Sequence, residues 1–302
     1  MSDGSLPVEP LRVATHSGSF HADEVFALAT LRLHFGVIGI VRTRDADELS
    51  KCDLRVDVGR KYDPATGDFD HHQGDAGERA NGIRYASFGL VWKSFGAQVC
   101  GSEAIAEELD LSLVAPVDAG DNGQELCEPR FEGTGPYQLG RLISGFGSAW
   151  DDEDREAEEQ QGFGEALMLA DGIIRREIRQ AQARARATGL VRKAIEAAPD
   201  PRIVEFDRGL PWKSVVMNEA PEALVVVYPR EKDWGVQAVP ADQGTFENRK
   251  DLPEAWAGLE GPELAEASGV ADAVFCHIGR FMAVAGSREG ALEMARLAVD
   301  GD

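Results

Sequence analysis

The chain has 302 residues, 43% of them hydrophobic, and carries 53 Asp and Glu against 31 Lys and Arg, a formal net charge of −22. This length favours two domains over one, and the apolar content is sufficient for packed cores. The acidity argues against nonspecific binding to long nucleic acid, because phosphate contacts need Lys and Arg, but it is compatible with a small anionic substrate held through metal ions.

The N-terminal segment and the cysteines bear on the compartment. Residues 1–7 have neither the basic region nor the apolar core of a secretory signal. Because no run of 18 or more apolar residues occurs, we expect no membrane-spanning helix. The four cysteines lie far apart and form no CxxC pair, which disfavours a structural zinc site or a disulfide scaffold. We therefore expect a protein of the reducing cytoplasm.

The first apolar segments alternate between strand and helix character. The predicted order is strand, helix, strand and strand, at residues 11–15, 23–35, 37–41 and 54–59. This order is typical of a parallel sheet in an α/β fold. Functional groups gather at the carboxyl ends of such strands, and both His16 and Asp57 lie at the end of a predicted strand.

Two further helices are predicted before residue 118. The apolar pattern of residues 85–95 is typical of a helix, and we expect Gly96 to end it. Residues 102–117 form the next predicted helix, with Ser102 as its N-cap and Pro116 as a kink near its end.

The second half opens with an acidic stretch, residues 151–159, and a long predicted helix that has one apolar and one basic face. The basic face, seven Arg and Lys between residues 175 and 193, is either a solvated surface or a track for a phosphate backbone. After a Pro-containing linker, the predicted elements are four strands and a closing helix, at residues 203–206, 223–228, 235–239, 273–276 and 287–299.

Histidines and carboxylates concentrate in two clusters near the N-terminus. Five of the six histidines precede residue 73, and four of these lie in the segments of residues 15–24 and 70–72. Imidazole and carboxylate groups together suit a pair of divalent cations that shares a ligand. The candidate metal ligands are His16, His21, Asp23, Asp57, Asp70, His71 and Asp118.

Some assignments have alternatives. His72 either orients its neighbour or contacts a phosphate. Asp118 and Asp121 compete for one ligand position, and we prefer Asp118, with Asp121 as a supporting or turn residue. His34 is expected to be structural.

A third candidate lies near the C-terminus, where His277, Gly279 and Arg280 follow a predicted strand. Glycine permits close backbone approach and arginine can bind phosphate oxygens in pairs, so these residues are a candidate anion-binding loop. The alternative is an ordinary turn with a surface arginine. The sequence contains no Walker A loop, Rossmann glycine fingerprint or GxSxG elbow.

Asp70-His71-His72 resembles the motif for which the DHH phosphoesterase superfamily is named. The segment that includes His16 and Asp23 is similar to the first motif of that superfamily, although His21 stands where an aspartate is usual. Asp57 resembles the second motif and Asp118 the fourth.

A fuller resemblance is to the melanocyte-proliferating-gene (Myg) family, formerly an uncharacterised protein family. It covers about residues 11–299 and is carried by the segments at residues 15–24, 118–123, 210–213, 234–240, 252–259 and 275–277.

The resemblance implies a two-domain, metal-dependent phosphohydrolase. The expected fold is α/β, with a DHH-type parallel-sheet domain (1–150), a connecting segment and long helix (151–200), and a smaller C-terminal α/β domain (201–302). The active site is expected in the cleft between the domains. Eukaryotic members are regarded as 3′-to-5′ RNA exonucleases, so RNA, a short oligonucleotide or a nucleotide is the expected substrate. No membrane partner is expected, and a homo-oligomer is left open.

In the expected mechanism, two divalent cations activate a water molecule, with Mn²⁺ preferred and Mg²⁺ as the alternative. Asp57 would bridge the ions, and the expected catalytic residues are Asp57, Asp70 and His72. The expected substrate-binding residues are His72, Asp121, His277, Gly279 and Arg280. The alternatives are a phosphatase of small phosphoanhydrides or nucleotides, and a noncatalytic metal- or nucleotide-binding protein.

Overall fold

The computed structural model describes residues 10–74, 76–242 and 247–301. The chain divides into two compact units, one ending at Gln182 and the other beginning at Ala183. Each contains its own five-stranded sheet and its own hydrophobic core. The predicted absence of a signal sequence at residues 1–7 falls outside the described residues. Within the described part of the chain, no helix combines the length and apolar character needed to cross a membrane.

The first unit is built on a mixed sheet of order β2-β1-β3-β5-β4. Its strands are β1 (Leu11–Thr15), β2 (Ile38–Arg42), β3 (Leu54–Val56), β4 (Tyr62–Asp63) and β5 (Asp68–Phe69). The neighbouring pairs β2–β1, β1–β3 and β3–β5 are parallel, as the sequence predicts, but β4 runs antiparallel to β5. The expectation of a purely parallel sheet is therefore wrong at this edge, where a short 3₁₀ turn at Pro64–Thr66 reverses the chain.

Seven α-helices begin in the first unit among its described residues. They are α1 (Ala22–Phe35), α2 (Ala46–Leu49), α3 (Ser87–Cys100), α4 (Glu103–Leu109), α5 (Ala115–Asp121), α6 (Leu139–Ser144) and α7 (Arg155–Ala197). Helix α1 is buried over its first ten residues and packs on α3, where the ring centroids of Phe26 and Phe88 lie 5.3 Å apart. Helix α1 also contacts β1, β2 and β3, and α3 contacts β5, so this helix pair packs against the first sheet.

Two predicted helix boundaries are wrong. Gly96 does not end α3, which continues to Cys100; a Cβ at Gly96 would lie 2.9 Å from the Trp92 ring, so this glycine serves close packing. The predicted helix at residues 102–117 is instead α4, a π-helical stretch at Asp110–Val114, and α5. Ser102 is the N-cap of α4, as predicted, and its hydroxyl accepts a hydrogen bond from the Ile105 N–H.

The second unit holds a mixed sheet of order β6-β7-β8-β10-β9. Only β6 and β7 are parallel, and the other neighbours are antiparallel. The remaining elements are β6 (Ile203–Glu205), α8 (Lys213–Glu219), β7 (Val225–Pro229), β8 (Trp234–Ala238), α9 (Gly261–Ser268), β9 (Ala273–Cys276), β10 (Met282–Ala285) and α10 (Arg288–Asp300). Strand β10 was not predicted, although it pairs with two neighbours in this sheet.

Candidate metal centre

Three adjacent strands of the first sheet deliver the predicted ligands to one edge. His16 follows β1, Asp57 follows β3 and Asp70 follows β5, and these strands are consecutive and parallel in the sheet. All three residues are buried. The structure thus brings together residues 54 positions apart in the chain, because the carboxyl ends of parallel strands meet at one sheet edge.

Asp57 lies between the two histidines His16 and His71. Its Oδ2 is 3.3 Å from His16 Nε2, and its Oδ1 is 3.3 Å from His71 Nε2. The Ser87 hydroxyl donates to Asp57 Oδ1 at 3.0 Å. Asp57 has a backbone φ of 56°, in the left-handed region that few non-glycine residues adopt. Such strain persists where the surrounding structure fixes the residue, as at many functional sites.

The start of α1 supplies the second side of the site. The His21 N–H donates to both carboxylate oxygens of Glu24 at 2.9 Å, which caps the helix. Glu24 Oε1 also lies 2.9 Å from His16 Nε2. Asp23 is fully buried and accepts a hydrogen bond of 3.3 Å from the Ser87 N–H at the start of α3. A carboxylate at a helix N-terminus is stabilised by the helix dipole.

The end of α5 supplies the remaining carboxylate, Asp121. Asp121 Oδ2 lies 3.1 Å from His71 Nε2. The same nitrogen atom of His71 lies 3.8 Å from Asp23 Oδ2. Of the two aspartates that compete for one ligand position in the sequence, Asp121 is therefore the one that lies beside His71.

The described residues form three overlapping groups whose potential ligand atoms lie within 4.8 Å of one another. Asp57 belongs to two of these groups, and so does His21. The groups are His16, His21, Glu24 and Asp57; Asp57, His71 and His72; and His21, Asp23 and Asp121. Groups that share a carboxylate are what a site for more than one cation requires.

The donor set fits divalent cations on independent grounds. Asp23 Oδ1 is buried without a hydrogen-bond partner, and the buried His71 Nε2 faces carboxylate oxygens of Asp121 and Asp57 at 3.1 and 3.3 Å without a hydrogen bond of regular geometry. A bound cation would satisfy these buried polar atoms. The site also concentrates four carboxylates, those of Asp23, Glu24, Asp57 and Asp121. Oxygen and imidazole together are a donor set that divalent cations accept.

Among these crowded carboxylates, the pKa values of Asp23, His16 and His71 shift in the direction that reduces the negative charge of the site. Burial, reinforced by the charges of Asp57, Asp121 and Glu24, raises the pKa of Asp23 well above its usual value. Burial alone would lower the pKa of His16, but Asp57 and Glu24 outweigh it and raise this pKa to about 10. Burial would also lower the pKa of His71, but the neighbouring Asp121 and Asp57 outweigh this effect and raise the pKa to about 10. The raised pKa values of His16 and His71 favour protonated imidazoles, whose positive charge offsets part of the negative charge of the carboxylates, and cation binding would displace these protons.

Asp70 and His72 lie beside the cluster in different environments. Asp70 accepts hydrogen bonds from the Arg60 N–H at 2.6 Å and the His72 N–H at 2.9 Å, and its Oδ1 lies 2.8 Å from His72 Nδ1. It is not in any of the three groups among the described residues. The His72 side chain is 55% exposed, and it lies 3.4 Å from Asp57 Oδ1.

Asp118 is buried in a separate ion pair. Its Oδ2 lies 2.8 Å from Arg79 Nη1, and its Oδ1 accepts a hydrogen bond of 3.0 Å from the Gly89 N–H. Arg79 also donates twice to Asp110 at 2.7 Å. Burial raises the pKa of Asp118 to about 7, although Arg79 and the Gly89 N–H oppose this. Asp118 thus lies outside the three groups.

The predicted anion loop lies in the second unit and makes local contacts. The Gly279 N–H donates to His277 Nδ1 at 2.9 Å, and Arg280 Nη2 donates to Asp251 Oδ2 at 2.9 Å. Arg280 has a φ of 55°. The predicted role of His277, Gly279 and Arg280 in binding substrate stays a prediction.

The main residue missed by sequence reasoning is Glu24. A signal was present, since Glu24 stands three positions after His21, the spacing of a capping box, inside the first histidine cluster. A role in capping does not exclude contact with His16, because a carboxylate has two oxygens with several acceptor sites.

A cavity of about 460 Å³ gives access to the site. Its lining combines cluster residues with residues of α5, with Gln138 at the N-cap of α6, and with Arg141 and Ser144 of α6. A smaller cavity of about 270 Å³ also reaches His71 and His72.

Comparison with known proteins places these residues in a family. A family model named MYG1_exonuc, described as an uncharacterised protein family (UPF0160), matches residues 12–299. A MYG1 protein of Schizosaccharomyces pombe is 34% identical over 322 residues, which cover 96% of this chain and 98% of that protein. The MYG1 exonuclease of Homo sapiens is 32% identical over 324 residues, 95% of this chain and 85% of the human protein. A MYG1 protein of Chlamydia pneumoniae is 32% identical over 298 residues, 95% and 96% of the two chains. The chain therefore belongs to the MYG1 family.

Proposed function

We propose that this protein is a metal-dependent phosphodiesterase that removes nucleotides from the 3′ end of RNA or short oligonucleotides. The observation that carries the proposal is the sharing of Asp57 between two groups of potential ligands, at the edge of the first sheet. A shared carboxylate between two cations is a recurrent arrangement in enzymes that hydrolyse phosphate esters. The exonuclease name of the human and rodent relatives supports the nuclease assignment.

The groups overlap at Asp57 and His21 and suggest how the ligands would divide between two cations. His16, Glu24 and Asp57 would hold one cation, and His71 with Asp57 would hold the other, with His21, Asp23 and Asp121 completing the site. The bound ions would lower the pKa of a coordinated water molecule. The half-exposed His72 would contact a phosphate oxygen from the solvent side, and its ring would be oriented by the contact between Nδ1 and Asp70 Oδ1.

The proposed reaction is hydrolysis of one P–O3′ bond. Water supplies the oxygen that joins phosphorus, the 3′ oxygen of the preceding nucleotide leaves with a proton, and a nucleoside 5′-monophosphate is released. The formal charge of −22 favours short oligonucleotides over long structured RNA. All four cysteines are free, which supports the predicted location in a reducing cytoplasm.

The test compares the wild-type protein with Asp57→Ala on a short RNA labelled at its 5′ end, after chelation and re-addition of Mn²⁺. We expect a ladder of products shortened from the 3′ end with wild-type protein and Mn²⁺, and a loss of about 10³-fold or more in kcat for Asp57→Ala. Asp151→Asn, which changes an exposed acidic residue on the same unit, is the matched control.

Three results would contradict this proposal. Wild-type protein that leaves RNA and simple phosphodiesters intact in Mn²⁺ or Mg²⁺ would exclude the activity. Products shortened from the 5′ end would exclude the direction. Cleavage of pyrophosphate or nucleotide monoesters, with no cleavage of a dinucleotide, would favour the phosphatase alternative.

A further inference from the structure

Two cavities meet at the histidine pair His71 and His72, which lines both of them. The larger cavity, of about 460 Å³, extends towards α6 and includes Arg141. The smaller cavity, of about 270 Å³, extends towards the start of α3 and includes Arg84. The exposed imidazole of His72 therefore stands where two separate spaces join.

Each cavity contributes one guanidinium group. Arg141 lies with its Cζ 5.5 Å from the centroid of the Tyr137 ring, which is 66% exposed. Arg84 donates from Nη2 to the Asn122 carbonyl at 2.9 Å. In residues 10–74, 76–242 and 247–301, neither guanidinium group forms an ion pair with a carboxylate. Both arginines can therefore bind an anion without first giving up an ion pair.

The charge of the centre explains why such arginines are needed. The cluster holds four carboxylates, and the negative field of the whole chain repels a polyanion. Bound cations compensate this at the scissile phosphate, but not at the groups on either side of it. One arginine guanidinium can donate two parallel hydrogen bonds to two oxygens of the same phosphate, and a neighbouring carboxylate would compete for these donors.

We propose that the substrate occupies both cavities, so that the scissile phosphate at His71 and His72 has a nucleotide on each side. Arg141 would bind the phosphate on the 5′ side, and Arg84 would contact the 3′-terminal nucleoside that is released. The preferred substrate is then a 5′-phosphorylated oligonucleotide of at least two residues, rather than a monoester or a pyrophosphate. Tyr137, exposed beside Arg141, offers a surface on which a base can stack. This inference rests on the proposed phosphodiesterase function.

The experiment measures kcat and KM for a 5′-phosphorylated dinucleotide and for bis(p-nitrophenyl) phosphate, both in Mn²⁺. The variants are Arg141→Ala and Arg84→Ala, with Arg130→Ala as the control, since Arg130 is exposed and lines neither cavity. We expect the ratio of kcat/KM values, dinucleotide over bis(p-nitrophenyl) phosphate, to fall about tenfold or more in each test variant, mainly through KM. Arg130→Ala should keep the wild-type ratio.

Binding provides a second readout that does not depend on turnover. Anisotropy of a labelled 5′-phosphorylated trinucleotide is measured on the inactive Asp57→Ala protein, with and without Arg141→Ala or Arg84→Ala. We expect about tenfold weaker binding for each arginine variant, with partial recovery in Arg141→Lys because the charge returns without the paired geometry. Unchanged thermal unfolding of the variants shows that the fold is intact.

The outcomes separate the inference from the proposed function. If wild-type protein cleaves both diesters and the two arginine variants keep the wild-type ratio and trinucleotide affinity, the two-cavity inference is wrong and the phosphodiesterase assignment stands. If wild-type protein cleaves neither diester, the proposed function itself is wrong.

Discussion

Glu24 illustrates how one side chain joins local structure to the site. Its carboxylate accepts the His21 N–H at the start of α1, and the same group lies 2.9 Å from His16 Nε2. Helix initiation and the position of a potential ligand therefore depend on each other. The capping geometry follows from the sequence spacing, whereas the contact with His16 requires that β1 and α1 meet in the fold.

The first prediction concerns the charge of Glu24. Glu24→Gln keeps an oxygen that can accept the His21 N–H but removes the negative charge beside His16. We expect Mn²⁺ affinity to fall about 10- to 100-fold. Isothermal titration with Mn²⁺ measures this, with Asp151→Asn as the control. Wild-type affinity in Glu24→Gln would show that Glu24 only caps the helix.

The second prediction separates Asp118 from Asp121. Asp118 neutralises the buried Arg79, so Asp118→Ala should reduce the free energy of unfolding by about 1–3 kcal/mol, because Arg79 and the Gly89 N–H lose a partner. Asp121 contacts His71 in the cluster, so Asp121→Ala should weaken Mn²⁺ binding by about tenfold or more with little effect on metal-free stability.

Urea unfolding of the metal-free proteins and Mn²⁺ titration check both variants. The two substitutions remove the same chemical group three positions apart, so each is the control for the other. The reverse pattern, with Asp118→Ala losing metal and Asp121→Ala losing stability, would restore the preference that the sequence gives to Asp118.

At the scale of elements, the contact between α3 and α5 depends on a glycine. A Cβ at Gly89 would overlap Asp118 Oδ2 and approach Arg79 Nη2 to 2.8 Å. The absence of a side chain lets the buried ion pair lie against α3. This ion pair helps to position α5, at whose end Asp121 lies.

The third prediction follows from this packing. Gly89→Ala should reduce the free energy of unfolding by about 1–3 kcal/mol, because the added methyl group displaces Asp118. Gly172→Ala is the matched control, since Gly172 lies inside α7 with no atom within 4 Å of its added Cβ. There the substitution should stabilise the protein by up to about 1 kcal/mol. Equal effects at the two glycines, measured by urea unfolding, would contradict this account.

The elements also show where sequence patterns are insufficient. Strand β1 has the predicted bounds, and α1 begins one residue before its predicted start. The prediction of one continuous helix at residues 102–117 is wrong, because apolar spacing cannot distinguish a continuous α-helix from two α-helices joined by a π-helical stretch. The two-residue strands β4 and β5 are too short to show a hydrophobic period, yet β5 places Asp70 and His71.

At the scale of the whole molecule, the two units have separate cores and separate sheets. All three groups of potential ligands lie in the first unit. Ligand binding to the native state stabilises it in proportion to the logarithm of ligand concentration over Kd. The effect of metal on local stability should therefore be concentrated in the unit that holds the ligands.

The fourth prediction tests this with metal removal. Mn²⁺ at about 100 times its Kd should stabilise the metal-binding unit by about 2.7 kcal/mol for each bound cation, and EDTA should reverse the effect. Hydrogen exchange should show the greatest slowing at the starts of α1 and α3 and the end of α5, and little in β7 and β8. Asp57→Ala should lose the response. Equal slowing in both units, or none, would contradict the location of the site.

The long helix α7 contributes residues to both units, and its basic face is largely exposed. Arg175 pairs with Asp171 at 2.8 Å, and Arg192 pairs with Glu219 at 2.8 Å. These contacts favour the interpretation of a solvated, ion-paired surface for at least part of the face. Its role as a phosphate track stays a prediction.

The sequence by itself determined the types and local density of the chemical groups, the α/β character of the chain and its resemblance to a family. These properties are local, since they depend on residue identity, short-range periodicity and spacing. Whether Asp118 or Asp121 faces His71, and whether Glu24 reaches His16, depended on the tertiary structure. The physical reason is that the direction of a side chain at the end of a helix or strand is fixed only when the elements pack. In the packed structure Asp118 pairs with the buried Arg79, whereas Asp121 at the end of α5 contacts His71.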